Sequence, residues 1–102
     1  LIAALVASHP ITPLWAQDSA QGALAEARRA ADAGRSSEAV APYREALEMA
    51  KEDRPDWRLE LADQLTWSGD LAAAIAEYRR VIASGRADLL SKAQTGLGRA
   101  LA

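Results

Sequence analysis

The feature that most constrains this chain is a segment that occurs twice at a fixed spacing. Residues 34–47 and 69–82 both begin with glycine and carry alanine and tyrosine at matching places. The matching pairs, each 35 residues apart, are Gly34 with Gly69, Ala39 with Ala74, and Tyr43 with Tyr78. Repeats of roughly 20–50 residues indicate stacked units, each burying its apolar side on its neighbours. Such proteins usually present a binding surface.

The composition predicts that these units are helical. The chain has 102 residues, half of them apolar and 25% charged, which suits one small globular domain. Alanine is the commonest residue and has the highest helix propensity. Phenylalanine is absent and β-branched residues are few, so a sheet has little to be built from. We therefore expect an all-α fold.

Glycine and proline divide the chain into five predicted helices. The third helix starts after Pro55, since proline cannot continue the helix before it. The connections Gly34-Arg35 and Gly69-Asp70 are so short that they force successive helices antiparallel. The expected bounds are residues 20–33, 37–51, 56–68, 70–84, and from about 88 onward.

Capping residues and apolar stripes add detail to these helices. We expect Ser36 or Ser37 to cap the second helix and Asp70 to cap the fourth, because their side-chain oxygens accept hydrogen bonds from free backbone N–H groups. Three- and four-residue spacings predict a buried face on the third and fourth helices. The residues of these two faces are Leu61, Ala62, Leu65, Ser68, Leu71, Ala74, Ile75, Tyr78 and Ile82.

The order of residues within each unit also follows a known consensus. The first half of the pattern is seen in Arg58-x2-Leu61-Ala62-x2-Leu65 and in Gln94-x2-Leu97-Gly98-x2-Leu101. The second half is seen in Ala39-x3-Tyr43 and in Ala74-x3-Tyr78. In these residues the chain resembles the tetratricopeptide repeat (TPR) family, whose consensus is Trp-x2-Leu-Gly-x2-Tyr and then Ala-x3-Phe.

The resemblance covers about residues 20–102 and implies a specific arrangement of the helices. Antiparallel helix-turn-helix pairs would stack as a short right-handed superhelix of about two and a half repeats. By the same resemblance, Gly98 would allow close packing between helices. Since about three repeats are needed for stability, we expect the domain to be truncated at its C-terminus and to continue past residue 102.

The resemblance also implies where a partner would bind. In the family, the first helix of each pair lines a concave face. The positions that this assigns are Gln21, Leu24, Arg28, Asp32, Asp56, Leu59, Asp63, Thr66, Trp67, Lys92, Thr95 and Arg99. Among them we predict Arg28, Asp63, Trp67 and Arg99 as the partner-binding residues, with Trp67 foremost because tryptophan is enriched in binding hot spots. Trp57 is expected to pack at the joint between repeats.

The sequence offers no assembled group for chemistry. Cysteine is absent, which excludes a Cys–His arrangement, and the only histidine, His9, lies in the N-terminal segment before the repeats, so we expect no Ser–His–Asp arrangement either. A net charge of −2 provides no basic surface for nucleic acid. We expect no enzymatic activity, no cofactor, no metal and no nucleic-acid partner.

The first residues are of a different kind. Residues 1–7 are all apolar, two prolines follow, and the small residue Ala16 precedes a polar stretch. This pattern predicts that residues 1–16 are a signal peptide whose positively charged start is missing, with the repeat domain at 17–102. A lipid-embedded anchor and a structural segment of the domain are the alternatives. The run is too short to span a bilayer, so membrane contact would be indirect.

Together these patterns predict an exported scaffold of the bacterial periplasm or cell envelope that binds a protein or peptide partner. One alternative is the periplasmic TPR region of an outer-membrane exopolysaccharide export protein, since residues 61–69 look like repeats of such proteins. Its partner would then be a polysaccharide. A cytosolic TPR adaptor, with the first residues structural, is the third reading.

Overall fold

The structure, a computed structural model, describes residues 19–102, so the predicted leader at residues 1–16 lies outside the described part. Within that part the chain forms five helices and no strand, which confirms the all-α prediction. All predicted bounds lie within two residues of the observed ones. The helices are α1 (Ser19–Asp32), α2 (Ser36–Met49), α3 (Pro55–Ser68), α4 (Leu71–Ala83) and α5 (Ala87–Leu101).

Consecutive helices pack as antiparallel pairs that stack on one another. α1 packs on α2 and α3 on α4, while α2 packs on α3 across the joint between the pairs. α5 contacts both α4 and α3, whereas α3 packs mainly on α2 of the first pair. Ala39, Ala46 and Ala74 are fully buried, and their small side chains allow the helix axes to approach closely. The arrangement is an all-α stack of repeated helix pairs.

The two tyrosines of the repeated segment occupy equivalent positions in this stack. Tyr43 of α2 is 2% exposed and Tyr78 of α4 is 0% exposed, and both are among the largest fully buried side chains. Each hydroxyl donates a hydrogen bond to a carboxylate of α3, Tyr43 to Glu60 and Tyr78 to Asp63. The period of the sequence therefore corresponds to a period of the core.

Glycine ends the helices as the sequence predicts. Gly34 and Gly69 have φ values of 78° and 89°, in the left-handed region that other residues rarely adopt. After Gly69, the N–H of Asp70 donates to the carbonyl of Leu65, which satisfies one of the free carbonyls at the end of α3. These turns reverse the chain within two or three residues and so place paired helices antiparallel.

One of the two capping predictions is confirmed. The Asp70 side chain accepts a hydrogen bond from the N–H of Ala73 at 3.4 Å. The serine cap predicted for α2 is wrong: Ser36 is already inside the helix, and the N-cap position is Arg35, whose side chain makes no capping hydrogen bond. Arg35 instead forms an ion pair with Glu38 at 2.8 Å in the first turn.

Five of the nine residues predicted for the buried faces of α3 and α4 are buried, Ile75 and Ile82 are partly buried against the core, and two are exposed. Ser68 is exposed at the end of α3, and Leu71 is 43% exposed because it is the first residue of α4. Val81, which the predicted stripe omits, is 1% exposed and belongs to the core. The apolar stripe of α4 thus begins one turn later than the sequence pattern indicates.

The helix contact expected at Gly98 occurs at Gly96 instead. A Cβ atom added at Gly98 would meet nothing within 4 Å. A Cβ added at Gly96 would lie 2.7 Å from the Tyr78 hydroxyl oxygen and closer still to two ring carbons. Gly96 therefore allows α5 to lie against the Tyr78 ring of α4.

Candidate functional site

Three helices bring polar and aromatic side chains to one face of the stack. On α3, Glu60, Asp63 and Trp67 are separated by three and four residues, so they lie on one side of the helix. α1 contributes one residue beside them and α5 contributes three. We call this surface the groove face; it consists of Arg28, Glu60, Asp63, Trp67, Lys92, Thr95 and Arg99.

Arg28 is held by Glu60 at the α1 end of the groove face. Its Nε and Nη2 atoms donate to the two carboxylate oxygens of Glu60 at 2.9 and 2.7 Å, a bidentate pair. Tyr43 also donates to this carboxylate, at 2.9 Å. Burial and the hydrogen bond to Glu60 raise the pKa of Tyr43, while the hydrogen bond to Glu60 raises the pKa of Arg28. Glu60 thus ties α1 and α2 to α3.

Asp63 is held by Tyr78 in the middle of the groove face. The Tyr78 hydroxyl donates to Asp63 Oδ1 at 2.5 Å, and the Thr66 hydroxyl lies 3.3 Å from the same tyrosine oxygen. Burial raises the pKa of Asp63, although the Tyr78 hydrogen bond and the positive charges of Arg99 and Lys92 act in the opposite direction. Burial and the bond to Asp63 raise the pKa of Tyr78 to about 12.

Trp67 is the large aromatic surface of the groove face. Its side chain is 61% exposed, more than any other large apolar residue of the described chain. The guanidinium carbon of Arg99 lies 5.2 Å from the centre of its ring, within the range of a cation–π contact. The contact joins the C-terminal ends of α3 and α5 and leaves most of the indole accessible.

Between Asp63 of α3 and one side of α5 lies a pocket of about 260 Å³. Asp63 lines the pocket on the α3 side, and Lys92 and Arg99 line it on the α5 side. Gly96, which has no side chain, also lines the pocket on the α5 side. Within residues 19–102, neither Lys92 nor Arg99 has an ion-pair partner within 4 Å. The pocket therefore offers two cations to an incoming group, whereas Arg28 is already paired.

The four residues predicted to bind a partner all lie on the groove face, but they differ in whether another side chain of the protein already holds them. Arg28 and Asp63 have strong partners inside the protein, and Trp67 and Arg99 contact each other at the surface. The same stretch of α3 contains a residue that the sequence analysis missed, Glu60. Its separation of three from Asp63 and of seven from Trp67 was the available signal, since these spacings share a helix side.

Two residues assigned to the concave face by resemblance are not on a surface. Leu24 is 2% exposed and Leu59 is 7% exposed, and both belong to the core, so this part of the prediction is wrong. The prediction for Trp57 is confirmed, since it is 3% exposed. Arg54 stacks on its ring at 4.1 Å, next to the joint between α2 and α3.

Comparison with protein-family models, with curated proteins and with solved structures gives no match. Among residues 19–102, no helix has the length and apolarity needed to cross a bilayer. The same residues contain no group of three or more histidine, cysteine, aspartate or glutamate side chains placed to hold a metal ion. Fold and site together define an all-α protein of stacked helix pairs with a polar and aromatic groove face.

Proposed function

We propose that this chain is a binding module of the TPR type that holds an extended segment of a protein partner on the groove face. The observation that carries the proposal is the exposed Trp67 ring in contact with Arg99, which together with Lys92 lines a pocket and has no carboxylate partner among residues 19–102. Tryptophan and arginine are among the residues most enriched in binding hot spots. The TPR assignment itself rests on the consensus residues and on the stacked helix pairs.

The internal pairs divide the groove face into a frame and a contact region. Arg28 and Glu60 satisfy one another, and a partner that displaced this pair would leave a charge uncompensated. The contact region is therefore the α3–α5 end, where Trp67, Lys92 and Arg99 are accessible. We expect a partner peptide to place an apolar or aromatic side chain on Trp67 and an acidic group near Lys92.

A polysaccharide is the second candidate for the same surface. Sugar rings present flat arrays of C–H groups that pack on aromatic rings, and the exposed Trp67 with polar neighbours favours this possibility. We further propose that the protein works in the periplasm or cell envelope. That proposal rests on the signal-peptide pattern of residues 1–16.

The proposal is tested by selecting peptides from a displayed library on the immobilised chain and measuring their affinity for variants. Trp67→Ala should weaken binding about 30-fold, the effect of losing a hot spot of about 2 kcal/mol. Arg99→Ala should weaken it less, because only one of two cations is lost. Arg79→Ala, which changes an exposed arginine on α4, is the matched control and should leave the affinity unchanged.

Two results would count against the groove face. Selected peptides that bind Trp67→Ala and the unaltered chain equally well would remove Trp67 from the site. An oligosaccharide array on which the chain binds sugars, with loss in Trp67→Ala and with no peptide selected, would favour the polysaccharide instead.

A further inference from the structure

A second pocket lies on the side of α3 that faces away from the groove face. It is a cleft of about 300 Å³ between α2 and α4, with α3 beneath. Arg58 of α3 contributes to it, and Arg58 is two residues from Glu60, so the two side chains leave the helix on nearly opposite sides. We call it the arginine cleft; its lining residues are Arg44, Leu47, Glu48, Arg58, Leu61, Glu77 and Arg80.

The charges of the arginine cleft are only partly compensated. Arg58 Nη1 lies 2.7 Å from Glu77 Oε1, a close pair in which the glutamate is only 13% exposed, and Arg58 Nη2 lies 3.9 Å from Asp53 Oδ1, so Arg58 is compensated. The other oxygen of Glu77 lies 3.6 Å from Arg80, which is 65% exposed. Within residues 19–102, Arg44 has no ion-pair partner within 4 Å. Arg44 and Arg80 thus leave positive charge on the two sides of the cleft, on α2 and on α4.

The bottom of the cleft is apolar. Leu61 is 1% exposed and belongs to the core, while Leu47 is half-buried and packs against that core. A ligand that filled the cleft would therefore meet aliphatic surface below and guanidinium groups at the rim. Guanidinium groups bind carboxylates in a bidentate, planar geometry.

We propose that the arginine cleft is a second binding site, and that it takes an acidic peptide segment. A glutamate or aspartate of the partner pairs with Arg44 or Arg80, and a neighbouring leucine-sized side chain covers Leu47. The lining contains three arginines and two glutamates, and Arg44, which has no ion-pair partner in the part of the chain that the structure describes, offers its positive charge to an acidic group. Its volume suits a few side chains of an extended segment, at the lower end of the range for ligand pockets.

The test uses a short fluorescent peptide in which glutamate and leucine alternate, with no aromatic residue. Its affinity is measured for the unaltered chain and for Arg44→Glu/Arg80→Glu. The double variant should bind at least about tenfold more weakly, because two favourable charge pairs become repulsive. Both arginines are exposed, so an unchanged helical circular dichroism signal is expected and confirms that the variant is folded.

Controls separate this cleft from general charge attraction and from the groove face. Arg79→Glu changes an exposed arginine of α4 that does not line the cleft, and Trp67→Ala changes the groove face; both should bind the peptide as the unaltered chain does. Replacing glutamate by glutamine in the peptide should abolish binding, and replacing leucine by serine should weaken it.

Several outcomes would overturn the proposal. Among the variants, these are a loss of peptide affinity in Arg79→Glu as large as that in the double variant, or any loss of affinity in Trp67→Ala. Among the peptides, they are equal affinity for the glutamate and glutamine peptides, or no binding of the glutamate peptide to the unaltered chain. Sedimentation provides a further check: self-association of the chain that Arg44→Glu/Arg80→Glu abolishes would make a second copy the occupant instead.

Discussion

At the scale of single residues, a glycine of α5 packs closely against a tyrosine ring of α4. Gly96 on α5 lies directly against Tyr78, which is fully buried and whose hydroxyl is hydrogen-bonded to Asp63. Because the ring is enclosed and its hydroxyl is fixed, it has little freedom to move away from an added methyl group. Gly98, two residues later on the same helix, has no such neighbour.

This difference gives a prediction with a built-in control. Gly96→Ala should destabilise the protein by about 1–3 kcal/mol, the usual cost of inserting a methyl group into a packed contact. Gly98→Ala should stabilise it by up to about 1 kcal/mol, since alanine favours the helix and meets nothing. Urea unfolding of both variants measures the free energies. Equal effects of the two substitutions would show that Tyr78 does not lie against α5 as described.

The sequence could not have distinguished these glycines. The consensus pattern points to Gly98, because that is where the family places its small residue. Which glycine contacts the neighbouring helix depends on the rotation of α5 about its own axis, and this is set by the packing of Ala93 and Ala100, both buried. A local sequence pattern predicts where the helix lies in the chain. It does not predict the rotation of the helix about its axis accurately enough to say which of two nearby glycines faces the neighbouring helix.

At the scale of helices, α3 is the element that holds the stack together. It accepts a tyrosine hydroxyl from α2 at Glu60 and from α4 at Asp63, and it pairs with α1 through Arg28. The bounds of α3 were predictable from Pro55 and Gly69, since these residues define a helix start and end. The hydrogen-bond partners of its carboxylates could not be predicted, because no local sequence pattern indicates a hydrogen bond between side chains that are far apart in the chain.

The same tyrosines predict how stability depends on alkaline pH. Both pKa values are raised above the ordinary value of 10.0, that of Tyr78 to about 12, so the folded state favours the neutral hydroxyls. Their contribution to stability is complete below pH 10.0 and is lost as the pH rises through the folded pKa values. The free energy of unfolding should therefore fall steadily above pH 10.0.

Tyrosinate absorbance makes this measurable, because the chain contains only these two tyrosines. The tyrosinate absorbance should increase only at pH values well above 10.0. Its increase should coincide with the loss of the helical circular dichroism signal. Tyr43→Phe and Tyr78→Phe should each remove about half of the absorbance change, since each removes one of two equal chromophores. Ionisation at the ordinary pKa, with the helices intact, would contradict the buried hydrogen bonds to α3.

At the scale of the whole molecule, the account rests on equivalent helices of successive repeats lying side by side. α1 is linked to α3 through the Arg28–Glu60 pair, and α3 is linked to α5 where Trp67 and Arg99 meet. The repeat at 35 residues and the short glycine connections predicted the stacked helix pairs, while the position of Trp67 was implied by the resemblance to the TPR family. The resemblance was not sufficient to separate surface from core within the first helices, as Leu24 and Leu59 demonstrate.

The most direct measurement of this claim is chemical cross-linking between α1 and α3. Because the chain has no cysteine, Arg28→Cys/Glu60→Cys introduces one unique pair at residues whose side chains touch. Arg29→Cys/Glu60→Cys is the control, since Arg29 lies beside Glu26 and Arg35 on another side of α1. The account predicts that a short rigid bismaleimide joins the first pair within one chain, detected as an intramolecular product by mass spectrometry, and leaves the second pair unjoined. Equal yields for the two pairs, or none for the first, would contradict it.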